Sequence, residues 1–254
     1  AARVAEEARR QIADPIGSQP DEVVFTSGAT ESDNLAVLGI AAHAEATGRM
    51  HLITTAVEHK AVLEPVEVLS KRGFEVTVLP VDEKGWPTAA DLTDALRDET
   101  VLVSTMHGNN ETGVELPLED YAAVLSNHDA WWHVDAAQTY GKRNEVLSDK
   151  RIDLISISGH KVFAPKGIGA LIVRRRGYER PPLTALMYGG GQERGLRPGT
   201  LPVALVASLG LAGQLAGQEA VDRRESCETF RKQVIDALDS LGAEVNGDPG
   251  RVLP

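Results

Sequence analysis

Residues 50–81 read "MHLITTAVEHKAVLEPVEVLSKRGFEVTVLPV". Two short runs rich in β-branched and apolar residues flank "HKAVLEPVEVLSKRG", where apolar positions recur at helical spacing and Gly73 stands as the stop. The pattern extends both ways. Upstream, the strand "DEVVFTS" precedes the helical "ESDNLAVLGIAAHAEATG". Downstream come the helix "AADLTDALRDE", the strand "TVLVSTMHG", the helix "LEDYAAVLSNHDA", the strand "WWHVDAAQ", and the pair "DLISIS" and "GALIVRRR". Strands alternating with helices predict an α/β fold, a mostly parallel sheet flanked by helices. From about residue 202 the chain reads as helix, followed by what reads as a further strand, "AEVNG". The expected organisation is one large domain over residues 1–222, then the start of a truncated small α+β domain over 223–254.

Bulk properties narrow the function. The 254 residues are 42% hydrophobic and 25% charged, with a formal charge of −11. That charge argues against an extended nucleic-acid surface, which needs a basic stripe. No apolar run reaches the roughly 18–20 residues of a membrane span. One cysteine allows no internal disulfide, which fits a reducing cytoplasm. The sequence has no initiator methionine and stops at "GRVLP", so a piece of a longer protein is expected.

In an open parallel sheet, ligands bind beyond the carboxyl ends of the strands. Five strands end there in polar groups: Ser27 to Thr30; Glu58 and His59; His107, Asn109 and Asn110; Asp135 and Gln138; Ser158, His160 and Lys161. "FTSGATES" is a strand, a glycine turn and a helix start, suited to a phosphate or to simple N-capping by Ser27 or Thr30. Asp135 closes an apolar strand, so its carboxylate needs a protonated heterocyclic nitrogen, a metal or an arginine. Lys161 follows a buried strand. An amine withdrawn from water is a nucleophile and Schiff-base former, although a lysine at a strand end can also simply snorkel. His59 can stack on a flat ligand and shuttle protons, or bond locally at its helix start. Taken together, a phosphate cradle, a carboxylate and a lysine on one rim match what pyridoxal 5′-phosphate requires.

These residues resemble the cysteine desulfurases, of the class V aminotransferase group of fold-type I pyridoxal-phosphate enzymes. "FTSGATESDNLAV", "EHKAVLEP", "NNETGV", "HVDAAQTYGK", "SGHKVFAPKGIGAL" and "GGGQERGLRPGTLP" occur in the family's order and spacing. The resemblance implies that Lys161 holds the cofactor covalently and then acts as a base. It implies that Asp135 pairs with the ring nitrogen, Gln138 bonds the ring hydroxyl, and His59 stacks on the ring and moves protons. Asn110 would lie near the ring hydroxyl and the substrate carboxylate. Ala29, Thr30, Ser158 and His160 would hold the phosphate, and Thr200 would reach the phosphate in a partner subunit, implying a homodimer. The implied reaction takes sulfur from L-cysteine, leaves L-alanine, and passes a persulfide to a sulfur-acceptor protein, as in iron–sulfur cluster assembly, tRNA thiolation or DNA sulfur modification.

Some family features are missing here. The persulfide-forming cysteine and the substrate-carboxylate arginine belong to sequence beyond this chain, and the N-terminal "LDNAATT"-like segment is absent. The chain alone is therefore expected to be poor or dead in desulfuration. Cys227 falls in helical register with Phe230, Val234, Leu238 and Leu241 and is expected on a buried stripe. The rival readings are a selenocysteine lyase or other class V enzyme, an inactive cofactor-binding dimerisation fragment, and a metalloenzyme built on His59, His133 and Asp135.

Overall fold

The computed structural model describes residues 1–239 and 241–254. Ser240, inside the helical run read from the sequence, lies outside them. Seven strands among the described residues form one sheet. They are β1 (Val23–Thr26), β2 (His51–Thr55), β3 (Glu75–Leu79), β4 (Thr100–Met106), β5 (Trp131–Asp135), β6 (Leu154–Ser158) and β7 (Gly169–Val173). Their order across the sheet is β1-β7-β6-β5-β4-β2-β3. The run from β6 to β3 is parallel, and β7 alone points the other way, antiparallel to both β6 and β1. As an edge strand, β1 has β7 as its one neighbour.

The helices are α1 (Ala2–Ala13), α2 (Ala29–Gly39), α3 (Ala41–Thr47), α4 (Lys60–Lys71), α5 (Ala89–Ala95), α6 (Leu118–Leu125), α7 (Asn144–Leu147) and α8 (Val203–Asp239). They cover the sheet on both faces. Alternation along each strand divides the core accordingly: on β7, Ala170 and Ile172 join α1, α5, α6 and α8, while Leu171 and Val173 join α2, α3 and α4. Burial on both faces is why the strands read as near-continuous apolar runs. Among the described residues no helix is long and apolar enough to cross a membrane.

Two expectations change. "AEVNG" forms no strand. Instead the end of the chain folds back on the loop after β4: the Glu115 N–H donates to the Arg251 carbonyl at 2.9 Å, and the Leu253 N–H donates to the Gly113 carbonyl at 2.8 Å. The stripe carrying Cys227 is also not buried. Cys227 is exposed, as are Phe230 (63%), Val234 (57%) and Leu241 (77%). The reason is length. At 1.5 Å per residue α8 runs about 55 Å and α1 about 18 Å, so α1 covers only the early turns, where Val206, Leu209 and Ala216 are buried.

Candidate active site

Because β1, β2, β4, β5 and β6 run the same way, their carboxyl ends meet at one rim. A cavity of about 380 Å³ opens there, lined by Ala29, Thr30, His59, Asn110, Asp135, Gln138, Ser158, His160 and Lys161. Of the strand-end residues singled out by sequence, Glu58, His107 and Asn109 are buried behind this lining, and Thr200 lies outside it, exposed in the irregular segment before α8.

The turn at Ser27–Gly28 starts α2, whose first N–H groups have no intrahelical acceptor and lie at the positive end of the helix. Ala29 and Thr30, in this first turn, line the cavity, while the Ser27 N–H donates to the Glu31 carboxylate at 2.7 Å. This turn is seated directly on β7. A Cβ at Gly169 would stand 2.6 Å from the Gly28 Cα and 2.5 Å from the Ile157 carbonyl oxygen, so only glycine permits the approach.

Across the rim, His59 caps α4: its Nδ1 accepts the Ala61 N–H at 3.1 Å, which orients the ring and leaves Nε2 for a ligand. The two asparagines divide their work. Asn109 is buried, and its Oδ1 accepts the N–H groups of Glu111 (2.8 Å) and Thr112 (2.9 Å), so Asn110 is the one that reaches the cavity. Lys161 sits in the short 3₁₀ turn Gly159–Val162, which ends at Phe163 with φ 69°. On the same turn, Ser158 Oγ and His160 Nδ1 are hydrogen-bonded at 3.1 Å.

The site is short of positive charge. Asp135 is buried at the end of β5, and its Oδ1 accepts a single N–H, from Ala137 at 2.8 Å. Burial, reinforced by the charge of Asp33, pushes its carboxyl up to about 7. Burial also pushes Glu58, beside His59, up to about 8, although its Oε1 accepts from the Thr55 hydroxyl and the Met106 N–H, each at 2.7 Å. Asp33 also lines the cavity and was given no role from the sequence. The signal was present: it shares a helical stripe with the buried Ala36, Val37 and Ile40.

These groups fit pyridoxal 5′-phosphate. Free N–H donors await an anion, a buried carboxyl with one donor awaits a cationic ring nitrogen, and an amine stands in the same cavity. The metal reading fits poorly, because both ring nitrogens of His133 are taken, Nδ1 by Ser104 (2.8 Å) and Nε2 by Ser156 (2.9 Å).

Residues 1–248 match the sequence profile of the family described as Aminotransferase class-V. The chain is 44% identical over 251 residues to the cysteine desulfurase of Homo sapiens, covering 98% of this chain and 54% of that protein. It therefore spans about half the length of the curated relatives it matches. The crystal structure of DndA from Streptomyces lividans superposes with a TM-score of 0.97 at 48% identity, covering the whole of this chain and 71% of that one. A structure of SspA in complex with cysteine superposes with a TM-score of 0.77 at 42% identity, covering 84% of this chain and 60% of that one.

Proposed function

The chain belongs to the class-V aminotransferase family, and from that premise we propose that the intact protein is a pyridoxal-phosphate-dependent cysteine desulfurase, moving sulfur from L-cysteine to a protein thiol and leaving L-alanine. One observation carries the reading: the Lys161 amine, the buried Asp135 carboxyl and the open start of α2 line a single cavity. The cysteine bound in the related SspA supports the substrate.

The work divides among the residues. The N–H groups of Ala29 and Thr30, the Thr30 hydroxyl, Ser158 and His160 hold the phosphate. Gln138 and Asn110 present amides to the ring hydroxyl, and Asn110 also serves the substrate carboxylate. Asp135 supplies the counter-charge that keeps the ring nitrogen protonated. Bound there, the cofactor supplies an electron sink that acidifies the α-carbon of the amino acid. Lys161 would hold it covalently and its amine is placed to take the α-proton of the amino acid; His59 Nε2 is placed to relay protons.

The thiol that receives the sulfur is one other than Cys227, which lies on the outer face of α8 and lines no part of the cavity. Thr200, exposed and outside its own chain's cavity, supports a homodimer in which it completes the partner's phosphate site. A cytoplasmic setting and a sulfur-acceptor protein, as in iron–sulfur assembly, complete the proposal.

The test is chemical. Intact protein loaded with pyridoxal phosphate and reduced with borohydride should carry the phosphopyridoxyl group on Lys161 by peptide mass spectrometry. Modification of another lysine, or no retained cofactor, overturns the reading.

A further inference from the structure

Asp33 projects from α2 into the rim cavity at 1% exposure, and neither of its carboxyl oxygens has a hydrogen-bond partner among the described residues. The basic side chain beside it is His133, whose Nε2 stands 3.5 Å from Asp33 Oδ1. His133 cannot act as a counter-ion. It is fully buried, and burial pushes it down to about 4 against the opposing pull of Asp135, so it is neutral where enzymes of this kind work. Ser156, whose Oγ lies 2.9 Å from His133 Nε2, favours the charged form of Asp33, but burial outweighs it. Asp135 differs in having the Ala137 N–H on its Oδ1. Two buried carboxyls therefore face one cavity, and only Asp135 has a backbone N–H to stabilise its anion.

Resting on the cofactor reading above, we propose that Asp33 is a positioning residue: it and Asp135 hold one negative charge between them, and a cationic ring seated at Asp135 draws that charge onto Asp135 while Asp33 keeps the proton. Like charges on neighbouring buried carboxyls cannot both be accommodated cheaply, so the better-solvated partner ionises first. Burial pushes Asp33 up to about 7, as it does Asp135, in line with one shared charge near neutrality. The other titratable groups around the pair are Glu58 and His59 between β2 and α4, His133 on β5, and His160 and Lys161 after β6. Glu31, on α2 itself, is paired with Arg197 at 2.8 Å. A neutral Asp33 leaves Asp135 as the single anion, so the ring nitrogen meets one localised charge.

The probe is pyridoxamine 5′-phosphate, which has the ring and phosphate but no aldehyde to condense with Lys161. Its dissociation constant is measured on the intact protein and on Asp33→Asn, a permanent mimic of the protonated acid, with Asp33→Ser as a second variant and circular dichroism to verify folding. The variant-to-wild-type ratio should be near one at pH ~6.5. It should rise roughly tenfold by pH ~8.5, where only the wild type gains a second charge, about one pKa unit of coupling. Infrared spectra of ligand-loaded wild type minus ligand-loaded Asp33→Asn at the lower pH should show the C=O stretch of one protonated carboxyl, that of Glu58 cancelling between them. A ratio independent of pH, or a variant already weakened at the lower pH, overturns the proposal. No binding by wild type at any pH would instead overturn the cofactor reading.

Discussion

Glu193 takes both terminal nitrogens of the Arg9 guanidinium, Nη1 at 2.9 Å on one oxygen and Nη2 on the other, across 184 residues of chain. Both side chains are buried, and the same carboxylate accepts the Phe25 N–H at 2.8 Å. Glu193 and its neighbour Arg194 adopt left-handed backbone angles, with φ 48° and 58°. One ion pair thus pins a strained loop to α1 and β1 at once.

Removing one partner of a buried pair leaves a lone charge in an apolar setting. Glu193→Ala should lower unfolding stability by about 3–5 kcal/mol in urea titrations. A loss under about 1 kcal/mol would show that water reaches Arg9 freely.

Gly169→Ala should act on the site from beneath, since its methyl would collide with the backbone of Gly28 and Ile157. The expected cost is about 1–3 kcal/mol of stability as the turn is pushed off β7. Pyridoxal phosphate affinity should fall by a larger factor than stability alone explains, read by equilibrium dialysis. Unchanged affinity would mean that the turn does not carry the phosphate.

Glu58 governs a pH trend. Burial raises its carboxyl to about 8 in the folded protein, while its ordinary value is 4.5. The folded state therefore binds the extra proton between those limits, and the stability Glu58 contributes is lost as pH rises through that window. Glu58→Gln keeps an acceptor for the Thr55 hydroxyl and the Met106 N–H and cannot ionise. Its stability relative to wild type should improve by roughly 2–4 kcal/mol between pH ~5 and pH ~8.5. A constant difference across that range would refute the assignment.

Cys227 should react stoichiometrically with a water-soluble maleimide in the native protein, at the rate of an exposed thiol. Protection until denaturant is added would mean that this face of α8 is covered in solution.

The rim was legible because strand ends are: an apolar run that stops at a polar residue names both the strand and its exit. Ser27 to Thr30, Asp135 and Ser158 to Lys161 were all found that way. Asp33 was not, because an acid amid the polar start of a helix reads as solvent-facing until the sheet packs against its stripe. Cys227 was misread for the converse reason. Periodicity defines a stripe but says nothing about whether anything covers it, and α8 outruns the helix it packs on. The reversal of β7 follows from a connection, Ser158 to Gly169, too short for a helical crossover.

The pairing of β1 with β7 alone has a consequence during synthesis. β1 leaves the ribosome long before β7 and must wait, solvated or held by a chaperone, until the glycine at 169 and the residues after it emerge. A product stalled before that point would carry β1 unpaired and be an early target for proteolysis.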